Sequence, residues 1–443
     1  MPELAPEEKR IKPRGFLTVR YIHAADLHLD TAFYGIADVR LAKLLRKATF
    51  TALDRLVQFC ESEKPDFLVL AGDIYNQEDC SIKAQLALRD ACLSLQRAAV
   101  RVFLAHGNHD PLSSRLATVA LPDNVTVFGT APESHVVEKQ GAVVAVVHGI
   151  SHERAGESKN LASLFSRDQA HDCFQLGVLH CAVTGQTGKD RSYAPCSVAD
   201  LRASGLDAWA LGHVHERCVL SPTPFIAYCG NAQGLHINEE GDRGCLLVTV
   251  GSTACESKFL PLGQVQWKTL AFDLEGAANV NDVEARLTRL LKDAAAGANN
   301  ACADIVARVT CTGCTALDAQ LRNTDLLQTL KGRLAPYAGS PNIWLKDFRV
   351  ETSPEIDREQ YLLREDLLGC TLQRIDALSK DRAELQSVIN AAIGGRTPRN
   401  ASTKNLLAMH TAQLDDEQRL LLLREAERLC IASLSPSARS CHT

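Results

Sequence analysis

At 443 residues the chain is too long for one compact core, and two or three domains are expected. A composition that is 46% hydrophobic and 23% charged excludes a wholly disordered or fibrous protein, and no apolar run approaches the roughly 18 residues of a membrane span. A net charge of −5 with 5% aromatics argues against a protein that coats nucleic acid or stacks bases along a strand, so any contact with DNA needs a local basic patch.

The chain begins with a charged extension, residues 1–15, that lacks the apolar core of a secretory signal. A cytoplasmic location is therefore expected. From about Gly15 to Phe272 short β-branched runs alternate with helical stretches. The runs LTVRYIHAA (17–25), DFLVLAGD (66–73), VRVFLAHG (100–107), VVAVVHG (143–149), FQLGVLH (174–180) and DAWALGH (207–213) read as buried strands. Leu41, Leu44, Leu45, Ala48 and Ala52 recur at helical spacing, as do Ala84, Leu88, Ala91 and Leu95. Such alternation argues for an α/β sheet. The later segments PTPFIAYCGN, GCLLVTV and KFLPL have lost their helices and read as antiparallel strands.

A second, smaller α+β pattern follows. Helix is expected over Val283 to Ala295 and Leu321 to Leu334, and strand over 303–311 and 342–350. From Ser353 onward nothing reads as strand. Residues 357–392 read as a long charged helical stretch, broken at Gly394-Gly395, with helix again from about Lys404 to Ser433. The 16 cysteines are scattered and read mostly as reduced, buried small hydrophobes. The single C-x-x-C, Cys311 to Cys314, lacks the second pair that a zinc site requires.

Polar residues cluster immediately after the strand-like runs. They are Asp26-x-His28, Gly72-Asp73, Gly107-Asn108-His109-Asp110, His180 and Gly212-His213-Val214-His215. In open α/β sheets, ligands bind beyond the carboxyl ends of strands, so these five loops are expected to converge. Carboxylate, imidazole and amide oxygen together suit manganese, zinc or iron. Taken singly, each element has a plainer reading. Gly-Asp is often a turn, Asn108 could cap a helix, and a GHxH could be two surface histidines. Five in order, each ending a predicted strand, outweigh those readings.

The same series resembles the five-motif signature of the calcineurin-like metallophosphoesterases. The wording YIHAADLHLDTAF, LVLAGDIYN, FLAHGNHDP and YCGNAQGLHINEEGDRGCLLVTV resembles, more narrowly, the SbcD/YhaO-type DNA repair exonucleases. That resemblance implies an α/β, four-layer metallophosphoesterase sandwich over 16–273, with two mixed sheets flanked by helices. It also implies a small α+β capping or DNA-guiding domain over 274–352 and a helical, partner-binding segment over 353–443. By resemblance, Asp26, His28, Asp73 and His215 hold one divalent ion and Asp73, Asn108, His180 and His213 a second, with manganese expected. His109 is then the catalytic acid at the scissile phosphate and Asp110 orients its imidazole. The implied reaction is in-line attack of a metal-bound hydroxide on a DNA phosphodiester.

His148 also ends an apolar run and competes with His180, which stands at the family's interval from His213 and is preferred. His23 reads as a hydrogen-bonding support, His106 as packed or supporting, and His152, His171, His236 and His410 as surface or core. The basic residues Arg322, Lys331, Arg333, Lys346 and Arg349 are candidate phosphate contacts or simply solvated faces. The resemblance further implies DNA and an SbcC/YhaN-type coiled-coil ATPase as partners, allows a homodimer, and excludes the membrane. Leu406, Leu407, Met409 and Leu420 to Leu423 offer an apolar helix face for that ATPase. Two alternatives stay open: a phosphodiesterase or phosphatase for small nucleotides or phosphoproteins, and a non-catalytic scaffold.

Overall fold

A computed structural model describes residues 18–76, 81–114, 119–184, 193–251, 254–299, 301–334, 341–394 and 414–434. The expected N-terminal extension, His410 and the apolar positions Leu406, Leu407 and Met409 lie outside them. The chain divides into two compact units, 1–268 with 298–306 and 340–344, and 269–297 with 307–339 and 345–443.

Two six-stranded sheets build the first unit. In one, β1 (Val19–Ala24), β2 (Phe67–Ala71), β3 (Arg101–Ala105) and β4 (Val125–Val127) run parallel. Antiparallel β11 (Gly244–Val250) and β12 (Cys255–Pro261) extend it beyond β1. The other contains β5 (Glu133–Lys139), β6 (Ala142–Ile150), β7 (Phe174–His180), β8 (Ala208–Gly212), β9 (Cys218–Pro222) and β10 (Phe225–Tyr228), in the order β5–β6–β7–β8–β10–β9. Here one expectation fails. PTPFIAYCGN is antiparallel to β9 alone, because the β9–β10 hairpin turns β10 inward to pair parallel with β8, Phe225 opposite Ala208.

The alternation of side chains along each strand explains the layers. Phe67, Val69 and Ala71 of β2 join Tyr21, Phe103 and Ala105 in a core shared with Ala145, Val147, Val178 and Ala210 of the other sheet. Leu68 and Leu70 face the opposite way, onto Ala52, Leu56 and Leu88 of helices α1 (Val39–Glu63) and α2 (Ile82–Arg97). Helix α1 starts where the Asp38 carboxylate accepts from the Arg40 and Leu41 amides and buries Leu41, Leu45, Ala48, Ala52 and Leu56 along one stripe. Beyond the second sheet, Trp209, Leu211 and Ile226 pack on Leu161, Phe165 and Leu201, the last from α3 (Val198–Ala203). The result is a four-layer sandwich of two mixed sheets flanked by helices.

The second half also contains a three-stranded sheet of β13 (Val265–Asp273), β14 (Asp304–Thr312) and β16 (Asn342–Val350), in that order. Helix α4 (Val280–Ala296) is capped by Asn279 and buries Val283, Leu287 and Leu291. The stretch 321–334 read as one helix but forms α5 (Asp318–Leu321) and α6 (Thr324–Leu334), interrupted where Asn323 accepts from the Asp325 amide. A two-residue strand, β17 (Ser353–Pro354), pairs with β15 (Cys314–Thr315), where no strand was expected.

The stretch 357–392 likewise becomes three helices, α7 (Arg358–Leu362), α8 (Leu367–Lys380) and α9 (Arg382–Gly394). Asp366 accepts from the Gly369 amide and Asp381 from the Glu384 amide, so each aspartate starts a new helix inside one apolar period. In α10 (Asp416–Leu434), Leu423 packs with Ile375, Leu378 and Leu385, while Leu421 and Leu422 are exposed.

Candidate metal centre

Strands β1, β2, β3, β7 and β8 end at one edge of the sandwich, and every predicted ligand follows one of those ends or is its last residue. The two sheets are drawn together there. His23 Nε2 lies 3.0 Å from the Leu211 carbonyl, and His180 Nδ1 lies 3.0 Å from that of Ala71, both bonds crossing from one sheet to the other. Stacked sheets ordinarily stand about 10 Å apart. At this edge a Cβ added to Gly212 would meet the Ala71 oxygen at 1.8 Å, so only glycine allows the approach. Gly212→Ala is expected to force the sheets apart, cost about 1–3 kcal/mol of stability and abolish tight metal binding. Thermal melts and metal titration of the variant check this; wild-type values in both would contradict it.

The loops are strained and cross-linked. Asp26, His28, Asp73 and His213 all have positive φ, at 50°, 43°, 51° and 99°, conformations that non-glycine residues adopt mainly where the surroundings force them. The Asp26 amide donates to the Gly72 carbonyl at 3.0 Å and the His28 amide to that of Asp73 at 3.1 Å. The His213 amide donates to the Asp26 carboxylate, and the His109 amide donates to Asp73 Oδ1 at 2.8 Å.

These restraints converge ligand atoms. Asp26, His28 and His215 form one group with ligand atoms within 4.8 Å of one another, and Asp26, Asp73 and His180 form a second. Asp73 Oδ2 lies 3.2 Å from His180 Nε2 and 3.9 Å from His28 Nε2. Asn108 Oδ1 lies 3.0 Å from His180 Nε2, and the His213 ring lies 5.3 Å from that of His180.

The donor set fits a cation. His28 Nδ1 donates to Asn76 Oδ1 at 2.6 Å, and the Asn76 amide nitrogen donates to Thr31 Oγ1, whose own proton goes to the His28 carbonyl. His215 Nδ1 donates to Glu239 Oε1 at 2.6 Å. Both rings therefore aim Nε2 lone pairs at each other across 3.2 Å, an arrangement that is repulsive until a cation or a proton lies between them.

Burial dominates the electrostatics. It raises the Asp26 carboxyl to about 6 and lowers His28 to about 4 and His213 to about 3. Burial would lower His180 too, but the Asp73 carboxylate reverses this and raises it to about 9. Burial opposes ionisation of Asp73 as well, yet the His180, His28 and His109 imidazoles hold it well below the usual carboxylate range.

At pH 7 the metal-free centre thus holds a proton on the His180 side, and an entering divalent ion must displace it. Burial lowers His215 as well, but Glu239 and Asp26 outweigh it and raise that ring too. Manganese affinity is therefore expected to rise with pH up to about 9 and uptake at pH 7 to release at least one proton. Calorimetry in two buffers of different ionisation enthalpy reads this directly, and uptake without proton release would refute it.

His109 is exposed, with its ring 5.2 Å from that of His28. Asp110 does not orient it as expected. The Asp110 carboxylate instead accepts from the Ile74 amide at 2.9 Å and the Gly107 amide at 2.8 Å, and it lies 3.2 Å from His106 Nδ1. It fixes the loop backbone, because both of its oxygens point into the protein.

His148 is buried away from the centre, bonded to Ser134 and Gln175. His152 is buried, with Nε2 2.6 Å from the His180 carbonyl, and His171 pairs with Asp168. Cys311 is buried in β14 and Cys314 exposed in β15. Sequence reasoning missed Asn76 and Glu239. The signal lay in the quoted wording, where a polar residue three positions after Asp73 and an acid after the last glycine-rich turn had no assigned role.

Comparison with known families agrees with this architecture. Residues 19–217 match the calcineurin-like phosphoesterases, and residues 267–353 match the middle domain of metallophosphoesterase YhaO. Residues 19–217 thus form a calcineurin-like metallophosphoesterase domain.

An uncharacterized metallophosphoesterase YhaO from Bacillus subtilis is 36% identical over 59% of this chain and 64% of its own. The DNA double-strand break repair protein Mre11 from Aeropyrum pernix is 26% identical over 50% of this chain and 55% of its own. The SbcD component of nuclease SbcCD from Escherichia coli is 23% identical over 54% of this chain and 67% of its own. The chain thus spans less than two thirds of the length of the first two of these relatives. The fold of this domain implies divalent ions, and its clustered aspartates and histidines are suited to hold them. No described helix is long and apolar enough to cross a membrane.

Proposed function

We propose that this metallophosphoesterase is a manganese-dependent DNA nuclease of the repair type. The observation that carries the chemistry is the convergence of Asp26, His28, Asp73, Asn108, His180, His213 and His215 beside an exposed His109. Asp26, His28, Asp73 and His215 would hold one ion and Asp73, Asn108, His180 and His213 the other, with Asp73 Oδ2 between His28 and His180 as the shared ligand. When bound, the ions supply positive charge to the phosphoryl oxygens and acidify an attacking water. His109 stands at the exposed rim, where its ring is free to give a proton to the leaving oxygen. Asp110 holds the 107–110 loop so that His109 keeps this place.

DNA as substrate is supported by the relatives named as a component of a nuclease and a double-strand break repair protein. The basic residues of the second unit support it less than expected. Arg322 pairs with Asp318, Arg333 with Glu284 and Lys346 with Asp347, and Lys331 donates to the Lys346 carbonyl. Arg349 is exposed and in no ion pair among the described residues, so it is the informative position for charge reversal. A protein partner is supported by the exposed apolar side chains of Leu363, Leu367, Leu421 and Leu422 and by a relative that is itself one component of a larger nuclease.

The deciding experiment offers labelled DNA ends, cyclic nucleotides and phosphopeptides to the purified protein with manganese. Preferential cleavage of DNA is expected. Faster turnover of a cyclic nucleotide or phosphopeptide would replace this reading with the small-substrate alternative.

A further inference from the structure

Glu239 is 6% exposed and both of its oxygens are saturated. Oε1 accepts from His215 Nδ1 at 2.6 Å and from His236 Nε2 at 3.1 Å. Oε2 accepts from Asn231 Nδ2 at 2.8 Å and from the Leu235 amide at 2.6 Å. His236 Nδ1 accepts from the Asn238 amide at 3.3 Å, but its side chain is 59% exposed and can swing away from Glu239. Four donors thus converge on this one buried carboxylate.

We infer that Glu239 is a positioning residue for metal binding: it sets the tautomer of His215 and thereby decides whether the Asp26–His28–His215 group can hold an ion. The inference rests on the two-ion reading above and deepens it. The reasoning turns on what an isosteric amide does in the same place. Glutamine must present its NH2 to one of the two donor pairs. The Leu235 donor is a backbone amide and cannot invert, so the NH2 is driven to the His215 side. His215 then avoids two opposed donors by moving its proton from Nδ1 to Nε2. An N–H now points where a lone pair is needed, and that ligand is lost. The second group contains no such dependence. His180 Nδ1 is held by the Ala71 carbonyl, which Glu239 does not touch.

The test is manganese titration of metal-free wild type, Glu239→Gln and His236→Ala by calorimetry, with thermal melts to confirm folding. Wild type is expected to take two ions. Glu239→Gln should melt close to wild type and keep one ion at wild-type affinity, with binding of the other weakened about 10–100-fold. His236→Ala removes a donor but leaves the carboxylate on His215, and should keep both ions. Nitrogen-15 spectra of histidine-labelled, metal-free protein at alkaline pH should show the His215 proton on Nδ1 in wild type and on Nε2 in Glu239→Gln.

Two ions at wild-type affinity in Glu239→Gln would overturn the inference. So would equal loss in His236→Ala, which would make the turn rather than the carboxylate responsible. An unfolded Glu239→Gln leaves the spectrum of the wild type to decide, and a wild-type His215 without its proton on Nδ1 refutes the role assigned to Glu239. Wild type that binds one ion or none would overturn the two-ion reading itself and this inference with it.

Discussion

Asp73→Ala is expected to leave the protein without bound manganese and with phosphodiester hydrolysis at the metal-free background. Asp73 stands beside a histidine of each half of the centre, and Asp26 belongs to both groups of ligand atoms. Asp73 Oδ2 sits 3.2 Å from His180 Nε2 and 3.9 Å from His28 Nε2, and Oδ1 receives the His109 amide. Its removal takes a ligand from each proposed ion and releases the loop that carries Asn108 and His109. It also removes the carboxylate that raises His180 to about 9, so that ring reverts to a neutral imidazole at pH 7. Metal analysis of the purified variant, paired with hydrolysis of an aryl phosphodiester, tests the expectation. Retention of two ions would show that Asp73 is not shared.

His109→Ala should give the opposite pattern, full metal content with cleavage slowed on the order of 10²–10⁴-fold. The bond that ties His109 to the Asp73 carboxylate comes from its backbone amide, which alanine keeps. Its exposed ring belongs to neither group of clustered ligand atoms. The loss should therefore fall on the chemical step rather than on assembly of the centre. Both quantities must be measured on the same preparation. An emptied site would assign His109 to metal binding, and unimpaired cleavage would remove it from the mechanism.

The contrast between these two variants also shows what local pattern reveals. Strand ends were legible because a buried parallel strand is a continuous apolar run, and the first polar residue after it marks the edge of the sheet. Asp26, Asp73, Asn108, His180 and His213 all stand on or just beyond such an edge. Boundaries inside apolar helical stretches were not legible. Asp366 and Asp381 look like ordinary polar positions on a long helix until their carboxylates are seen to cap the next one. The parallel pairing of β10 was equally hidden, since a four-residue apolar strand carries no mark of its partner's direction.

The sequence by itself determined the runs that become β1 to β3, β6 to β8 and β10 to β12, helices α1 and α2, the five polar loops and the kinds of candidate ligand they carry, but not β4, β5, β9 or α3. Those depend on composition and spacing along the chain, which are local. Only the tertiary structure decided how the loops meet. It placed the sheets close enough at Gly212 for His180 to reach Ala71, turned the Asp110 carboxylate inward to the loop backbone, and set Glu239 behind His215, 24 residues away in the chain. Each of those outcomes satisfies a buried hydrogen-bonding group with a partner remote in sequence, and no local pattern specifies which partner that will be.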